Sequence, residues 1–352
     1  MKKLLFMNLG PLGSLTDTYY YCMLLKERYE ITYFGVNEGN NALSIEGVKA
    51  IHLDFIEDRF IRKLTFIREA LRLLRNDKYD FVMVNYFLGC SLIKLLTQEA
   101  IVVDIRTGSV SPKFFKRFLA NSIMACEVRF FKYVTIISES LKKYLHIPEA
   151  AHLLPLGSPS FPIIKKDFNY LNIIYVGTFH QRNIVNTIYA FAKFISENDN
   201  QNIAHYTIIG YGSQSDVNNI LKAIASTGME NYISYKGTIR YPELADYLVS
   251  HNVGMSYVPI TEYFDKQPPT KTLEYILSGM AVIATGTAEN KKVINSKNGV
   301  IIGDSVDEIT RGLHYIFNNR SLFDSQEIQN QSQQHSWDSI LSRSLIPYIE
   351  MH

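Results

Sequence analysis

Cysteine and tryptophan are scarce in this sequence of 352 residues, which holds only Cys22, Cys90, Cys126 and the single Trp337. An odd number of widely spaced cysteines without a C-x-x-C pair excludes a disulfide framework and a zinc ribbon, and predicts buried free thiols in a reducing compartment. Long apolar runs are lacking too. The best candidate, near 81–96, is broken by Asn85 and Lys94 and falls short of the ~18 residues a membrane span needs. The opening MKKLLFMNLGPLGS places a basic pair before an apolar stretch of only about six residues, ended by Gly10-Pro11, shorter than a secretory leader requires. It reads as a first β-strand. These absences predict a soluble, cytoplasmic protein. Low-complexity segments and short-period repeats are absent as well.

What is present is core-forming material. Hydrophobic residues make up 47% and charged residues 20%, a globular rather than a disordered composition. The length is about twice that of a usual domain, which predicts two. The net charge of +2 is unevenly spread. Residues 1–165 hold 22 basic against 16 acidic residues, and 166–352 hold 14 against 18. Two stretches carry much of the basic excess. In 59–78, Ile61, Leu64, Ile67, Leu71 and Leu74 recur every three or four residues, predicting an amphipathic helix with an Arg-rich outer face. In 111–132, Lys113, Lys116, Arg117, Arg129 and Lys132 mingle with five phenylalanines. Either stretch can be a solvated helix face or a surface for anionic lipid, where each basic residue contributes about 1 kcal/mol. No nucleic-acid recognition module is visible, so no nucleic-acid partner is expected.

Short β-branched or aromatic runs alternate with helical patterns throughout. Strands are predicted at 2–8, 31–36, 48–53, 80–85, 100–105, 133–138 and 151–156, then at 171–177, 206–210, 232–237, 253–258, 281–285 and 299–303. Helices at 184–197, 214–227, 241–250, 271–278 and 306–318 separate the later set. Apolar strands alternating with helices mean parallel sheets covered on both faces. The class is α/β, with two Rossmann-like domains. A break falls in SPSFPIIKKDFN (158–169), giving domains at 1–162 and 163–336. Ligands of such sheets bind beyond the carboxyl ends of the strands, so the loops there hold the candidates.

The first loop, NLGPLGSLTDTYY (8–20), brings Gly10 and Gly13 before a helix. A dinucleotide fingerprint needs G-x-G-x-x-G and an acidic residue after the second strand, and ITYFGV ends without one. The signal for NAD is weak; a tight turn near a ligand, or a simple turn, fits equally. The loop VGTFHQRNIVNTIYAF (176–191) has Gly177 at a strand end and Arg182 before a helix, where a guanidinium suits a phosphate. His180 in that loop reads as a surface residue or a catalyst. Gly210 and Gly212 in IIGYGSQ imply only close backbone approach. In QPPTKTLEYILSGMAVIAT (267–285), Pro268 and Pro269 lead into a helix that Gly279 stops. Thr270 is the expected N-cap. The amides of Lys271, Thr272 and Leu273, with the Lys271 ammonium, make a positive end for a diphosphate. Glu274, three residues on, can accept hydrogen bonds from two ribose hydroxyls, or can simply pair with Lys271.

Taken in order, the G-x-x-G, Gly177-loop-Arg182, IIGYG, YKGTIRYPELADYL (235–248), Pro269–Lys271–Glu274 and EYILSGMAVIAT resemble retaining glycosyltransferases of the GT-B fold. More narrowly, they resemble glycosyltransferase family 4, the group 1 glycosyltransferases. SESLKKYL (138–145) with LLPLGSPSF (153–161), and the terminal WDSILSRSLIPYIE (337–350), are similar to that family's linker and to the helix crossing back onto its N-terminal domain. The resemblance implies two Rossmann-like domains facing a central cleft, with 337–352 packing on the first. It implies a UDP- or GDP-sugar donor held by Arg182 and Lys271 on the diphosphate and Glu274 on the ribose, together with Gly13, Gly177, Gly210, Gly212, Thr270 and Thr272. It implies transfer with retention, without metal or other cofactor, to a glycan or polyprenyl-linked acceptor at the inner membrane face, in bacterial surface polysaccharide synthesis. Two departures stand out. Thr178 replaces an arginine that commonly follows the glycine, and the E-x7-E pair is missing: Lys266 stands eight residues before Glu274, and Glu262 twelve before. Asp104 and Arg106, at a first-domain strand end, are acceptor-side candidates or a structural ion pair. A non-catalytic nucleotide-sugar-binding partner and a nucleotide-sugar 2-epimerase remain as alternatives.

Overall fold

The computed structural model describes residues 1–37, 39, 43–199, 202–239 and 243–352. The chain divides into two compact units, residues 1–156 with 337–352, and residues 157–336. No helix among the described residues is long and apolar enough to cross a membrane.

The first unit is built on a seven-stranded, wholly parallel sheet of β1 (Lys3–Met7), β2 (Glu30–Val36), β3 (Val48–Leu53), β4 (Phe81–Asn85), β5 (Ile101–Ile105), β6 (Tyr133–Ile136) and β7 (His152–Leu153). Their order is β3-β2-β1-β4-β5-β6-β7. Leu4, Leu5, Phe6 and Met7 are all buried, as a central parallel strand covered on both faces requires. The C-terminal segment belongs to this unit. Trp337 is 1% exposed, stacked on Tyr20 at 5.7 Å and edge-on to Tyr21 at 5.7 Å. Glu350 then meets Lys2 at 3.3 Å, Arg28 at 3.1 Å and the Tyr29 hydroxyl.

The second unit repeats the plan with β8 (Leu171–Thr178), β9 (Ala204–Tyr211), β10 (Ile233–Tyr235), β11 (Val253–Ser256), β12 (Ala281–Thr285) and β13 (Gly299–Ile302). They lie parallel in the order β10-β9-β8-β11-β12-β13. The predicted strands and helices are all found, most with ends trimmed by one to three residues. The helix expected at 241–250 is described from Glu243 to Ser250, and Arg240, Tyr241 and Pro242 of YKGTIRYPELADYL lie outside the described residues.

The amphipathic stripe of 59–78 is half correct. The helix spans Arg59–Asn76, capped by Asp58, but burial starts only at Phe66, with Ile67, Ala70, Leu71 and Leu74. Ile61 and Leu64 are exposed together with Phe60. Among the described residues, none buries the side chains of Phe60, Ile61 or Leu64 in the first two turns of that helix.

One close approach decides how the second unit packs. Tyr275, on the helix Thr270–Leu277, is fully buried against Gly254 of β11, and a Cβ at Gly254 would come within 2.3 Å of its ring. The Tyr275 hydroxyl accepts a hydrogen bond from the Val176 amide of β8 at 2.9 Å. Substituting Gly254→Ala is expected to cost about 1–3 kcal/mol, the usual penalty of overpacking, read as a lower urea midpoint with an unchanged slope. An unchanged midpoint would refute this packing.

Candidate active site

In the second sheet the strand order reverses between β8 and β11. Loops leaving their carboxyl ends therefore diverge and open a crevice, the ordinary ligand position of an open parallel sheet. The β8 loop carries Arg182, and the β11 loop carries Phe264 and leads to Lys271.

The β8 loop turns sharply. Gln181 and Asn183 have φ of 57° and 50°, a left-handed conformation that costs non-glycine residues roughly 1–2 kcal/mol each. The Arg182 amide donates to the Phe179 carbonyl at 3.1 Å. Between the two left-handed residues, the Arg182 guanidinium lies over the Phe264 ring at 3.9 Å from its centroid. Among the described residues no carboxylate pairs with it and no side-chain hydrogen bond engages it. Burial pulls its pKa down from the ordinary arginine value, and nearby Tyr175 and Tyr263 act the other way. His180 is exposed in the same loop, its ring 3.1 Å from Gln181, and its amide donates to the Thr178 hydroxyl at 3.4 Å.

On the other side, Lys271 Nζ donates to Glu274 Oε2 at 2.6 Å, and Glu274 is only 2% exposed. The expected i,i+3 pair is thus made. Lysine has three N–H donors, and this contact uses one of them. The expected cap is corrected. Pro269, extended at φ −80° and ψ 117°, is the N-cap, and Thr270 is the first helical residue, with no capping bond from a side chain. A capping oxygen must sit on the non-helical residue, and here that residue is proline. Thr272 is corrected as well. Its side chain faces inward, with Oγ1 2.6 Å from Ser256 Oγ and 2.8 Å from Asn290 Oδ1, and its amide donates to the Pro269 carbonyl at 3.2 Å. Asn290 in turn donates to the Thr285 carbonyl at 2.9 Å. This buried chain of hydroxyls and amides seats the helix end on β11 and β12.

The glycines answer to their own chain. A Cβ on Gly210 would meet the Gly177 carbonyl at 1.8 Å, and one on Gly212 would meet Asp216 and Phe179 side chains at about 3 Å. Close approach is real, but the approaching group is protein. Gly13, at φ 97°, faces Leu43 in the same way. In the first unit, Asp104 is fully buried, accepting from Asn85 at 3.1 Å and Thr135 at 2.7 Å. Arg106 pairs with Asp17 and donates to the Leu154 carbonyl at 2.7 Å. Both serve an internal network at the ends of β4, β5 and β6. Phe264, Ser256 and Asn290 escaped the sequence reading; the aromatic pair in EYFD was the one legible signal.

Residues 171–319 match the family model of group 1 glycosyl transferases. That stretch of the second unit is similar to group 1 glycosyl transferases. No curated protein sequence matches the chain. Solved structures do. Sucrose-phosphate synthase from Thermosynechococcus elongatus superposes with a TM-score of 0.77 at 13% identity, covering 100% of this chain and 99% of that one. Anabaena HepE, in complex with UDP and glucose, gives 0.79 at 12% identity with complete coverage of both. WaaG, a glycosyltransferase involved in lipopolysaccharide biosynthesis, gives 0.69 at 13% identity and 99% coverage of each. At such identities the likeness shows the fold, which is GT-B. The group 1 family match falls on the half that contains Arg182, Lys271 and Glu274.

Removing the Thr272 hydroxyl strands two buried partners. Thr272→Val is expected to destabilise by about 1–3 kcal/mol. Thr270→Val, which caps nothing, should stay within about 0.5 kcal/mol in the same denaturation assay. Equal effects would show that the network does not seat the helix.

Proposed function

We propose that this protein transfers a sugar from a UDP- or GDP-sugar to a glycan or lipid-linked glycan, with retention of configuration. The carrying observation is Arg182: a partly desolvated guanidinium without a carboxylate partner among the described residues, at the strand-order reversal. Such a group is an anion receptor, and the anion of matching chemistry is a diphosphate. Lys271, one loop away, adds a second cation and Glu274 a carboxylate for ribose hydroxyls. The HepE structures with UDP and with UDP-glucose support a nucleotide-sugar donor on this fold.

In this reading the bond from the anomeric carbon to the diphosphate oxygen breaks as the acceptor hydroxyl oxygen attacks. Arg182 and Lys271 stabilise the negative charge that develops on the leaving group, and the leaving phosphate takes the acceptor's proton. Neither Asp104 nor another residue is assigned as base. Gly177 and the Thr270–Leu277 helix shape the donor pocket. Gly13, Gly210 and Gly212 act through the backbone turns they permit.

The test is a thermal-shift panel of UDP, GDP, ADP and NAD on the wild type, Arg182→Ala and Glu274→Ala. A ligand at 100 times its Kd adds about 2.7 kcal/mol of stability. One nucleoside diphosphate is expected to stabilise the wild type, with Arg182→Ala about 10- to 150-fold weaker, the worth of a charge-assisted contact. Stabilisation by NAD alone, or by nothing, would overturn the donor site.

The acceptor side of the proposal places the first unit on an anionic membrane surface. The helix Phe114–Val128 leaves Phe114, Phe118, Leu119 and especially Phe115 exposed, the last at 83%, beside Lys113 and Lys116. Arg117 is the exception among the basic residues, buried with Nη1 on the Ser111 carbonyl at 2.8 Å. Apolar rings flanked by lysines suit the headgroup boundary. Sedimentation with anionic vesicles at low salt is expected to bring the protein down, and Phe115→Ser with Phe118→Ser to abolish that. Equal binding to zwitterionic vesicles, or none at all, would remove the membrane from the proposal.

A further inference from the structure

Arg182 is held in place without being neutralised, and the means is aromatic. Its guanidinium carbon sits 3.9 Å from the Phe264 centroid. A carboxylate at that position would fix the side chain equally well, but would cancel much of its charge. A ring face attracts the cation through its quadrupole and leaves the edge with its N–H donors unspent.

The platform is built independently of the arginine. Phe264 is buried on the short helix Glu262–Asp265, whose Thr261 cap accepts the Phe264 amide at 3.3 Å. The Tyr263 ring packs beside it at 4.6 Å. Asp265 accepts the Ala288 amide, beyond β12, at 2.7 Å and pairs with Lys266. At the start of the segment, the Ile260 amide donates to Asp304, beyond β13, at 2.9 Å. The ring is therefore tied to the ends of β11, β12 and β13, and the arginine to β8 through a turn with left-handed residues on both sides. The two meet across the strand-order reversal.

We infer that Phe264 is a positioning residue for the donor diphosphate: by stacking, it aims the Arg182 guanidinium edge into the crevice while leaving its full charge for the phosphates. The inference rests on the donor-site reading above. It also assigns a role to EYFD, in which the paired aromatics form the floor of an anion site.

The experiment titrates UDP and GDP by calorimetry into the wild type, Phe264→Leu, Phe264→Met, Phe264→Tyr, Arg182→Ala and Arg182→Ala with Phe264→Leu, with melting temperatures alongside. Loss of the ring face should weaken binding of the nucleotide that the wild type prefers by about three- to thirty-fold. Phe264→Tyr, which keeps the ring, should stay within about two-fold. In the Arg182→Ala background, Phe264→Leu should change nothing further, because the group it positions is gone. A merely structural ring would instead weaken binding equally in both backgrounds, and that outcome overturns the inference. Unchanged affinity in a folded Phe264→Leu overturns it too, and Phe264→Met gives the same decision should the leucine variant fail to fold. If Arg182→Ala binds as the wild type does, the donor-site reading itself fails and takes the inference with it. If Arg182→Ala loses binding while the ring variants keep it, only the inference falls.

Discussion

A single buried hydroxyl joins the two halves of the candidate site. Tyr275 reaches from the helix that carries Lys271 and Glu274 to the backbone of β8, whose next turn carries Arg182. Its ring fits only because residue 254 has no side chain. Strand, helix and loop are thereby fixed relative to one another before any ligand arrives. A preorganised anion site depends on this, since donors already in place need no reorganisation when charge develops on a leaving group.

The parts that read well from sequence are those governed by periodicity. Thirteen apolar runs became thirteen strands among the described residues; central ones such as β4, β5 and β12 are buried along their whole length, and such strands announce themselves without tertiary information. The Pro-Pro entry and Gly279 exit of one helix were legible for the same local reason. Thr270 and Thr272 illustrate where this stops. One residue of register separates a capping hydroxyl from a non-capping one, and the direction in which Thr272 points depends on Ser256 and Asn290, distant in sequence. Ile61 and Leu64 make a similar point: spacing identifies a helical stripe, but only the unit behind the helix determines how much of the stripe is covered.

The glycine-rich strand ends teach a subtler lesson. A glycine next to a presumed site invites a ligand-based explanation, yet Gly210 is required by the carbonyl of the neighbouring strand and Gly212 by its own helix's capping carboxylate. Phe264 is the reverse case. A phenylalanine in a short polar turn reads as an ordinary anchor, and its relation to Arg182 exists only because β8 and β11 lie side by side. In the first unit, Asp104 and Arg106 stand where ligands bind in such sheets, but burial turned them inward. Sequence gives the address of a residue at a strand end and leaves its direction open.

The Trp337 packing bears on how the protein is made. The first unit is completed by residues 337–352, which a ribosome delivers only after the whole of the second unit has been synthesised. During translation the pocket formed around Tyr20 and Tyr21 stands without its indole while 180 residues of another unit emerge and fold (157–336). Because Trp337 is the chain's only tryptophan, its emission is a built-in reporter of that docking event, largely blind to the folding of the second unit.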